Sequence, residues 1–378
     1  MKITLVSETF PPEINGVALT VQSLAMGLNA LGHDVEVVRP RQADDSASDD
    51  GRIHHQLVRG IAMPRYHGLR FGLPTPGELA RRWRQQPPDA IYVATEGPLG
   101  RSGVIAARRM GIPVCTGFHT RFDDFVRHYG VGLLSPLVFA WMRRFHNSAD
   151  ATLVPTTELA DFLTARGFHR VQLLRRAVST TQFDPARRDN ALRKAWGVRV
   201  EQLAVLHVGR IAAEKNLNLA TRAFRAIQRH RPDARFIVVG DGPTRQQWQS
   251  ENPDFIFSGM RRGDDLSRHY ASADQFLFPS LSETFGNVTL ESMASGLATI
   301  AFDYGAAREH IQHGMDGIRI DRDDDQGFID ASVQLACEDG QRDEMRRRAR
   351  RTVESLDPAS VAENFADLLA GLGRREAA

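Results

Sequence analysis

The sequence predicts an α/β protein of two doubly wound parallel-sheet domains, and three observations carry that expectation. In the first half, short apolar runs alternate with amphipathic stretches: Ile3 to Val6, a helix-like Val17 to Leu31, Val35 to Val38, then Ala90 to Ala94 and Ile112 to Cys115. That alternation is the pattern of parallel strands joined by crossover helices. The rhythm restarts after a polar, irregular stretch, Arg175 to Asp189, with strand-like runs at Ala204 to Val208, Phe236 to Val239, Gln275 to Phe278 and Ala298 to Ala301. Finally, 378 residues are too many for one ordinary core and suit two domains. The expected division is residues 1–180, residues 190–355, and a C-terminal helix over 356–378 that packs back toward the first domain. No short fixed repeat appears, which disfavours a solenoid.

Composition narrows the function classes. With 42% hydrophobic and 25% charged residues the chain reads as globular, without a low-complexity block. Its 48 basic and 46 acidic residues leave a net charge of +2, little to draw nucleic acid. The Arg346 to Arg351 stretch sits beside Glu338, Asp339, Asp343 and Glu344 and reads as a solvated helix face. Two cysteines, Cys115 and Cys337, fall in different expected domains, which argues against a disulfide framework and for a reducing cytoplasm. The start MKITLVSETFPPE lacks a signal-peptide pattern, and no run approaches the ~20 apolar residues needed to span a bilayer. The expected location is the cytoplasm, with peripheral attachment to the inner face of the plasma membrane as an extension of it.

In parallel sheets ligands bind beyond the carboxyl ends of the strands. Ser7 to Gly16, Thr95 to Gly100 and Gly117 to Arg121 then lie on the binding edge of the first domain. Gly16, between the first strand and first helix, would let backbone approach a phosphate, although the G-x-G-x-x-G pattern of redox dinucleotide sites is missing. His119 follows a strand end on that edge. A lone histidine among 13 is more often structural, but its place suits hydrogen bonding to a reacting hydroxyl or a developing charge.

In the second domain, Gly209-Arg210 ends a strand and Lys215 follows five residues after Arg210. Two cations beside a helix N-terminus suit a diphosphate, with a surface pair between Lys215 and Glu214 as the equal alternative. Gly240-Asp241-Gly242-Pro243 is a weaker signal, a tight turn in which Pro243 opens the next helix. The strongest signal is SETFGNVTLE, in which Glu283 and Glu291 lie eight positions apart, at most roughly 12 Å in a continuous helix. Phe285, Gly286 and Asn287 begin a helix there, and their amides would point at an anion. The bland alternative is a capping carboxylate at Glu283 and a surface carboxylate at Glu291. Val131 to Met142 reads first as a buried helix broken at Pro136; its basic flanks Arg127, His128, Arg143, Arg144 and His146 make a segment lying on a membrane the second reading.

Together these residues resemble glycosyltransferase family 4, retaining enzymes of the GT-B fold, in which two Rossmann-like domains face a cleft. The resemblance runs through FPPEINGVALTVQSLAMGLNALGHDVEVVRP, EGPLG, FHTRFDDFVRHYG, GRIAAEKNL, VVGDGP, the SGMRRGDD to SMASG stretch and EHIQHGMDG. It implies that Arg210 and Lys215, with Gly16, hold the donor diphosphate, that Glu283 binds the donor sugar and Glu291 the ribose, that amides near Phe285, Gly286 and Asn287 contact sugar and phosphates, and that His119 lies by the anomeric centre. It further implies transfer without a metal or other cofactor, the cations doing for the leaving group what a metal does elsewhere. Ala177-Val178-Ser179 and Gly305-Ala306-Ala307 depart from the Gly-Val-Asp and Gly-Gly of many relatives. Within the family the N-terminal motifs look closest to bacterial mannosyl-, glucosyl- and sulfoquinovosyl-transferases that act on lipids. The expected reaction is hexosyl transfer from a GDP-mannose or UDP-hexose donor to a lipid or glycan hydroxyl, at a possible anionic membrane surface; a nucleotide-sugar epimerase of the same fold and a non-catalytic sugar-nucleotide sensor are the alternatives.

Overall fold

A computed structural model describes residues 1–11, 13, 15–42, 53–62, 70–119, 135–283 and 285–374. The chain divides into two compact units, Met1–Ala177 with Pro358–Ala378, and Val178–Asp357.

The first unit runs β1 (Lys2–Val6), α1 (Gly16–Ala30), β2 (Asp34–Pro40), β3 (His54–Val58), β4 (Gly60–Ala62), β5 (Arg70–Gly72), α2 (Pro76–Gln85), β6 (Ala90–Val93), α3 (Pro98–Met110), β7 (Val114–Gly117), α4 (Ser135–Asn147), β8 (Ala151–Val154), α5 (Thr157–Thr164) and β9 (Val171–Leu173). Its parallel sheet has the order β3-β2-β1-β6-β7-β8-β9, with β4 and β5 forming a separate antiparallel pair. Ile3, Thr4, Leu5 and Val6 are all inaccessible, as expected of a strand covered on both faces. Asn15 caps α1 by accepting from the Ala18 amide at 2.8 Å, and Val21, Leu24, Ala25 and Leu28 form its buried stripe.

The second unit runs α6 (Asn190–Ala195), β10 (Ala204–Val208), α7 (Leu217–His230), β11 (Arg235–Val239), α8 (Arg245–Glu251), β12 (Ile256–Gly259), α9 (Gly263–Ala271), β13 (Gln275–Phe278), α10 (Asn287–Ala294), β14 (Ala298–Phe302), α11 (Gly305–His310), β15 (Ile318–Ile320), α12 (Asp325–Cys337) and α13 (Asp339–Val353). The strand order is β12-β11-β10-β13-β14-β15, all parallel. The chain then re-enters the first unit as α14 (Pro358–Arg374). Phe365 and Leu369 of α14 join the core that holds Val21 and Leu28 of α1. Gly27 permits the two helices to approach, since a Cβ there would lie 2.5 Å from that of Ala362.

Both sheets reverse their winding beside the first strand of the unit, between β1 and β6 and between β10 and β13. Ligands of such folds bind at this switch point. The loops there are those after β1, β6, β10 and β13, the last two carrying Arg210, Lys215 and Glu283.

Three local expectations are corrected. Pro243 does not open a helix: α8 starts at Arg245 behind Thr244. Pro136 starts α4 instead of breaking it, because a first-turn proline needs no amide hydrogen bond. Leu137 and Trp141 on that helix are 69% and 40% exposed while Met142 is buried, so the helix is buried on one face only; Val131 to Leu134, together with Arg127 and His128, lie outside the described residues. The arginine-rich stretch divides by helical periodicity. Arg347 and Arg348 pair outward with Glu344, while Arg346 donates to the Gly296 carbonyl at 2.7 Å and Arg350 to those of Ala294 and Phe183 at 2.8 and 2.6 Å. The carbonyls at and just beyond the end of α10 lack helical partners, and these inward guanidiniums supply the donors.

Candidate functional site

At the switch point of the second unit, close backbone approach accounts for the glycines. A Cβ on Gly240 would lie 1.9 Å from the Gly209 carbonyl oxygen, and one on Gly242 2.2 Å from that of Ile211. The Ile211 carbonyl also accepts from the Thr244 hydroxyl at 2.9 Å. This wall fixes the start of the loop that carries Arg210 and Lys215. A single 3₁₀ turn, Ala213–Lys215, and the left-handed Asn216 (φ 51°) then lead into α7.

Lys215 pairs with Glu283, not with Glu214. Sequence gave no sign of that partner, 68 positions away. The Ser280 hydroxyl donates to the same Glu283 oxygen at 2.8 Å, and the Lys215 ammonium stands 5.7 Å from the centroid of the Phe278 ring. Backbone locks the two loops together, the Leu281 amide donating to the Glu214 carbonyl at 2.9 Å. Glu283 is therefore no helix cap. Arg210 is exposed and makes no ion pair among the described residues.

Gly286 (φ 90°) immediately precedes α10, whose N-terminus has no side-chain cap; Thr284 lies outside the described residues. Phe285 is buried, and its carbonyl accepts from the Ala306 amide at 2.7 Å. That contact needs Gly305, where a Cβ would lie 2.6 Å from the Phe285 oxygen. The first turn of α10 is thus held from behind, with half-buried Asn287 in front. Farther along, Glu291 is half-buried and accepts from the Tyr270 hydroxyl at 2.9 Å, which excludes a simple surface carboxylate. Desolvation raises its pKa to about 7, against the lowering effect of that hydrogen bond. Among the described residues nothing bonds its second oxygen.

Gly16 and His119 lie in the first unit. Gly16 is exposed, and a Cβ there would meet nothing within 4 Å, so no contact inside the chain requires glycine. Around it the β1 loop is tied by acids. Glu8 accepts from the amides of Gly72 and Leu99 at 2.5 and 2.7 Å, and burial raises its pKa to about 7. Glu13 bonds Thr9 and Gln42, and desolvation raises its pKa also. His119 is buried with both ring nitrogens engaged: Nδ1 lies 2.6 Å from the Arg176 guanidinium and Nε2 2.6 Å from the Tyr92 hydroxyl. Desolvation, then the charge of Arg176, lowers its pKa well below the usual value. These are the contacts the imidazole makes inside the chain, and neither Tyr92 nor Arg176 carried any sequence signal. Thr120 and Arg121 lie outside the described residues.

On the outside of α3 and α4, Trp141 lines a shallow, largely apolar hollow of 390 Å³ with Pro98, Arg101, Ser102, Ile105 and Glu96. Trp141 and Arg144 line a second hollow beside it. Among the described residues no helix is long and apolar enough to cross a membrane.

Comparison with known proteins places this arrangement. A family model described as Glycosyltransferase Family 4 matches residues 14–182, and one described as Glycosyl transferases group 1 matches residues 202–338. The chain is 34% identical over 338 residues to a GDP-mannose-dependent alpha-mannosyltransferase of Mycolicibacterium smegmatis, covering 88% of each chain. It is 29% identical over 322 residues to an alpha-monoglucosyldiacylglycerol synthase of Streptococcus pneumoniae, covering 80% of this chain and 71% of that one. The fold is shared with Anabaena Alr3699/HepE, solved in complex with UDP, at a TM-score of 0.79 and 18% identity over 98% of this chain and 100% of the other. Two parallel-sheet units of the GT-B kind, the switch-point motifs and these matches together establish that the chain belongs to glycosyltransferase family 4.

Proposed function

We propose that this glycosyltransferase moves a hexose of mannose or glucose type from a nucleoside-diphosphate sugar, GDP-mannose or a UDP-hexose, to a lipid or glycan hydroxyl with retention of anomeric configuration. The observation that carries the reading is the Lys215–Glu283–Ser280 cluster, with Arg210, which has no ion pair among the described residues, on the adjoining loop and an uncapped helix start next in sequence. The names of the mannosyltransferase and glucosyldiacylglycerol synthase relatives support the donor and acceptor classes.

In this reading the C1–O bond to the diphosphate breaks as the acceptor oxygen bonds C1 from the same face, and the acceptor proton passes to a leaving-phosphate oxygen. Negative charge grows on the diphosphate and positive charge on the sugar. Arg210 and Lys215 stabilise the first without a metal or other cofactor, joined by the amides of Phe285, Gly286 and Asn287; Glu283 stabilises the second. Lys215 and Glu283 neutralise one another while no ligand is present, so the site keeps both charges without a large desolvation cost. Glu291 offers its unbonded oxygen to the ribose, and open space at Gly16 admits the phosphates. The acceptor lipid approaches beside Trp141, where Arg101 and Arg144 suit an anionic membrane surface.

A thermal-shift panel of sugar nucleotides identifies the donor, because a ligand that binds only the native state raises apparent stability. Product analysis with lipid extracts then tests transfer. Transfer unchanged in both Glu283→Ala and Lys215→Ala would overturn the site assignment. An epimerised sugar nucleotide formed without acceptor would overturn the reaction. Co-sedimentation with vesicles that shows no preference for anionic lipid would remove the membrane surface.

A further inference from the structure

We propose that Arg176 is a positioning residue for the transfer reaction: by donating to Nδ1 of His119 it fixes the imidazole as the neutral Nε2–H tautomer, directs that proton to Tyr92, and so withholds the ring from proton transfer. The proposal rests on the transferase reading for its kinetic consequence but not for its structural content.

A guanidinium has donors only, so at 2.6 Å the Nδ1 of His119 must present a lone pair. The neutral ring then carries its proton on Nε2, and Tyr92 Oη accepts it at 2.6 Å. Three features hold this arrangement in place. Tyr92 is inaccessible and packs edge-on against Phe365 of α14 at 5.1 Å. Gly117 passes directly beside the contact, where a Cβ would lie 2.1 Å from Tyr92 Oη and 2.6 Å from His119 Nε2. Arg176, three residues beyond β9, is 8% exposed and has no carboxylate partner among the described residues.

That last feature separates a functional role from a merely structural one. A buried cation without a counter-charge destabilises a fold, so stability gives no reason for a guanidinium here. The described titratable groups facing the pair are Tyr92 from the sheet and His146 of α4, with Cys115 and Glu96 beyond them facing Tyr92. His146 bonds the Thr116 hydroxyl at 2.8 Å and stands 3.4 Å from Glu96, so that carboxylate serves a different imidazole. Nothing among the described residues offers His119 the counter-charge an imidazolium would need.

The test is nitrogen-resolved NMR of the His119 ring in the full chain from pH 5 to 8, beside pH–rate profiles. Wild-type protein should show the neutral Nε2–H form with no titration across that range. Arg176→Met should let the ring titrate toward the ordinary value of about 6.5. It should also lower kcat about 10- to 100-fold with KM for the donor nearly unchanged, and add an acidic limb to the profile. Arg176→Lys, which retains a donor and a charge, should recover part of kcat and suppress the titration. Tyr92→Phe should leave Nδ1 unprotonated, and with Arg176→Lys it carries the test if Arg176→Met does not fold. An Nδ1–H tautomer, or a wild-type ring titrating near 6.5, overturns the proposal, as does an Arg176→Met protein with unaltered spectrum and pH profile. If the spectra agree while no sugar nucleotide is turned over, it is the transferase reading that fails.

Discussion

The carboxyl edges of the two sheets share a topology but not an electrostatic character. In the second unit, Lys215 and Glu283 pair with each other beside Ser280 and Phe278, Arg210 has no ionic partner among the described residues, and Glu291 keeps one oxygen without a described partner. In the first unit, both nitrogens of His119 and both oxygens of Glu8 are occupied by partners inside the unit. One edge keeps charge available for a ligand, and the other uses its polar groups on itself. In the proposed reaction, charge stabilisation falls to the second unit and shape to the first.

Several measurements would break or sharpen this contrast. The largest expected effect is at Glu283. Glu283→Gln keeps the Ser280 contact but removes the charge, and should lower kcat/KM about 100- to 1,000-fold, as loss of a preorganised transition-state contact does; a change under about threefold would end the charge-based assignment. Lys215→Ala should follow at about 100-fold, seen as a loss in kcat/KM and in donor-induced thermal shift together.

Glu291 tests the contrast through pH. Its folded pKa of about 7 exceeds the ordinary 4.5, so the native state holds the extra proton between those values. Stability therefore falls as pH rises through that window, and donor binding, which uses the carboxylate, strengthens as it rises. Donor Kd should improve about tenfold from pH 6 to pH 8. Glu291→Gln should abolish that dependence and stabilise the unliganded protein by about 1 kcal/mol at pH 8 but not at pH 4, as read from Tm. A pH-independent Kd in wild-type protein would refute the ribose role.

Two glycines carry the comparison to the backbone. Gly240→Ala forces a methyl against the Gly209 carbonyl and should destabilise by several kcal/mol. Gly16→Ala meets nothing in the chain and should leave Tm within about 1 °C while weakening donor binding several-fold, because the group it obstructs is a ligand. Donor affinity unchanged in Gly16→Ala would overturn the role proposed for Gly16.

How much of this was legible in the sequence depends on distance along the chain. Runs such as Ala204 to Val208 and Gln275 to Phe278 announce themselves, because a strand covered on both faces must be apolar throughout. The short or half-exposed strands β3, β9, β12 and β15 lack such a run and were not legible. The candidate site residues stood out because they lie in, or just after, strand-to-helix loops. What they touch did not: Tyr270 is 21 positions from Glu291, and Arg176 is 57 from His119. A hydrogen bond of that separation leaves no periodicity to read. His119 is an example: its position suggested hydrogen bonding to a reacting hydroxyl, and the contacts to Arg176 and Tyr92 came only with the structure.

The return of α14 to the first unit makes the second an insertion within it, entered after Ala177 and left before Pro358. Removing residues from the C-terminus would therefore damage the N-terminal core first, by withdrawing Phe365 and Leu369 from beside α1 and β6. A chimera that exchanges donor specificity with a relative needs two splice points rather than one, and Val178–Asp357 is the cassette that could be exchanged with the host core left whole.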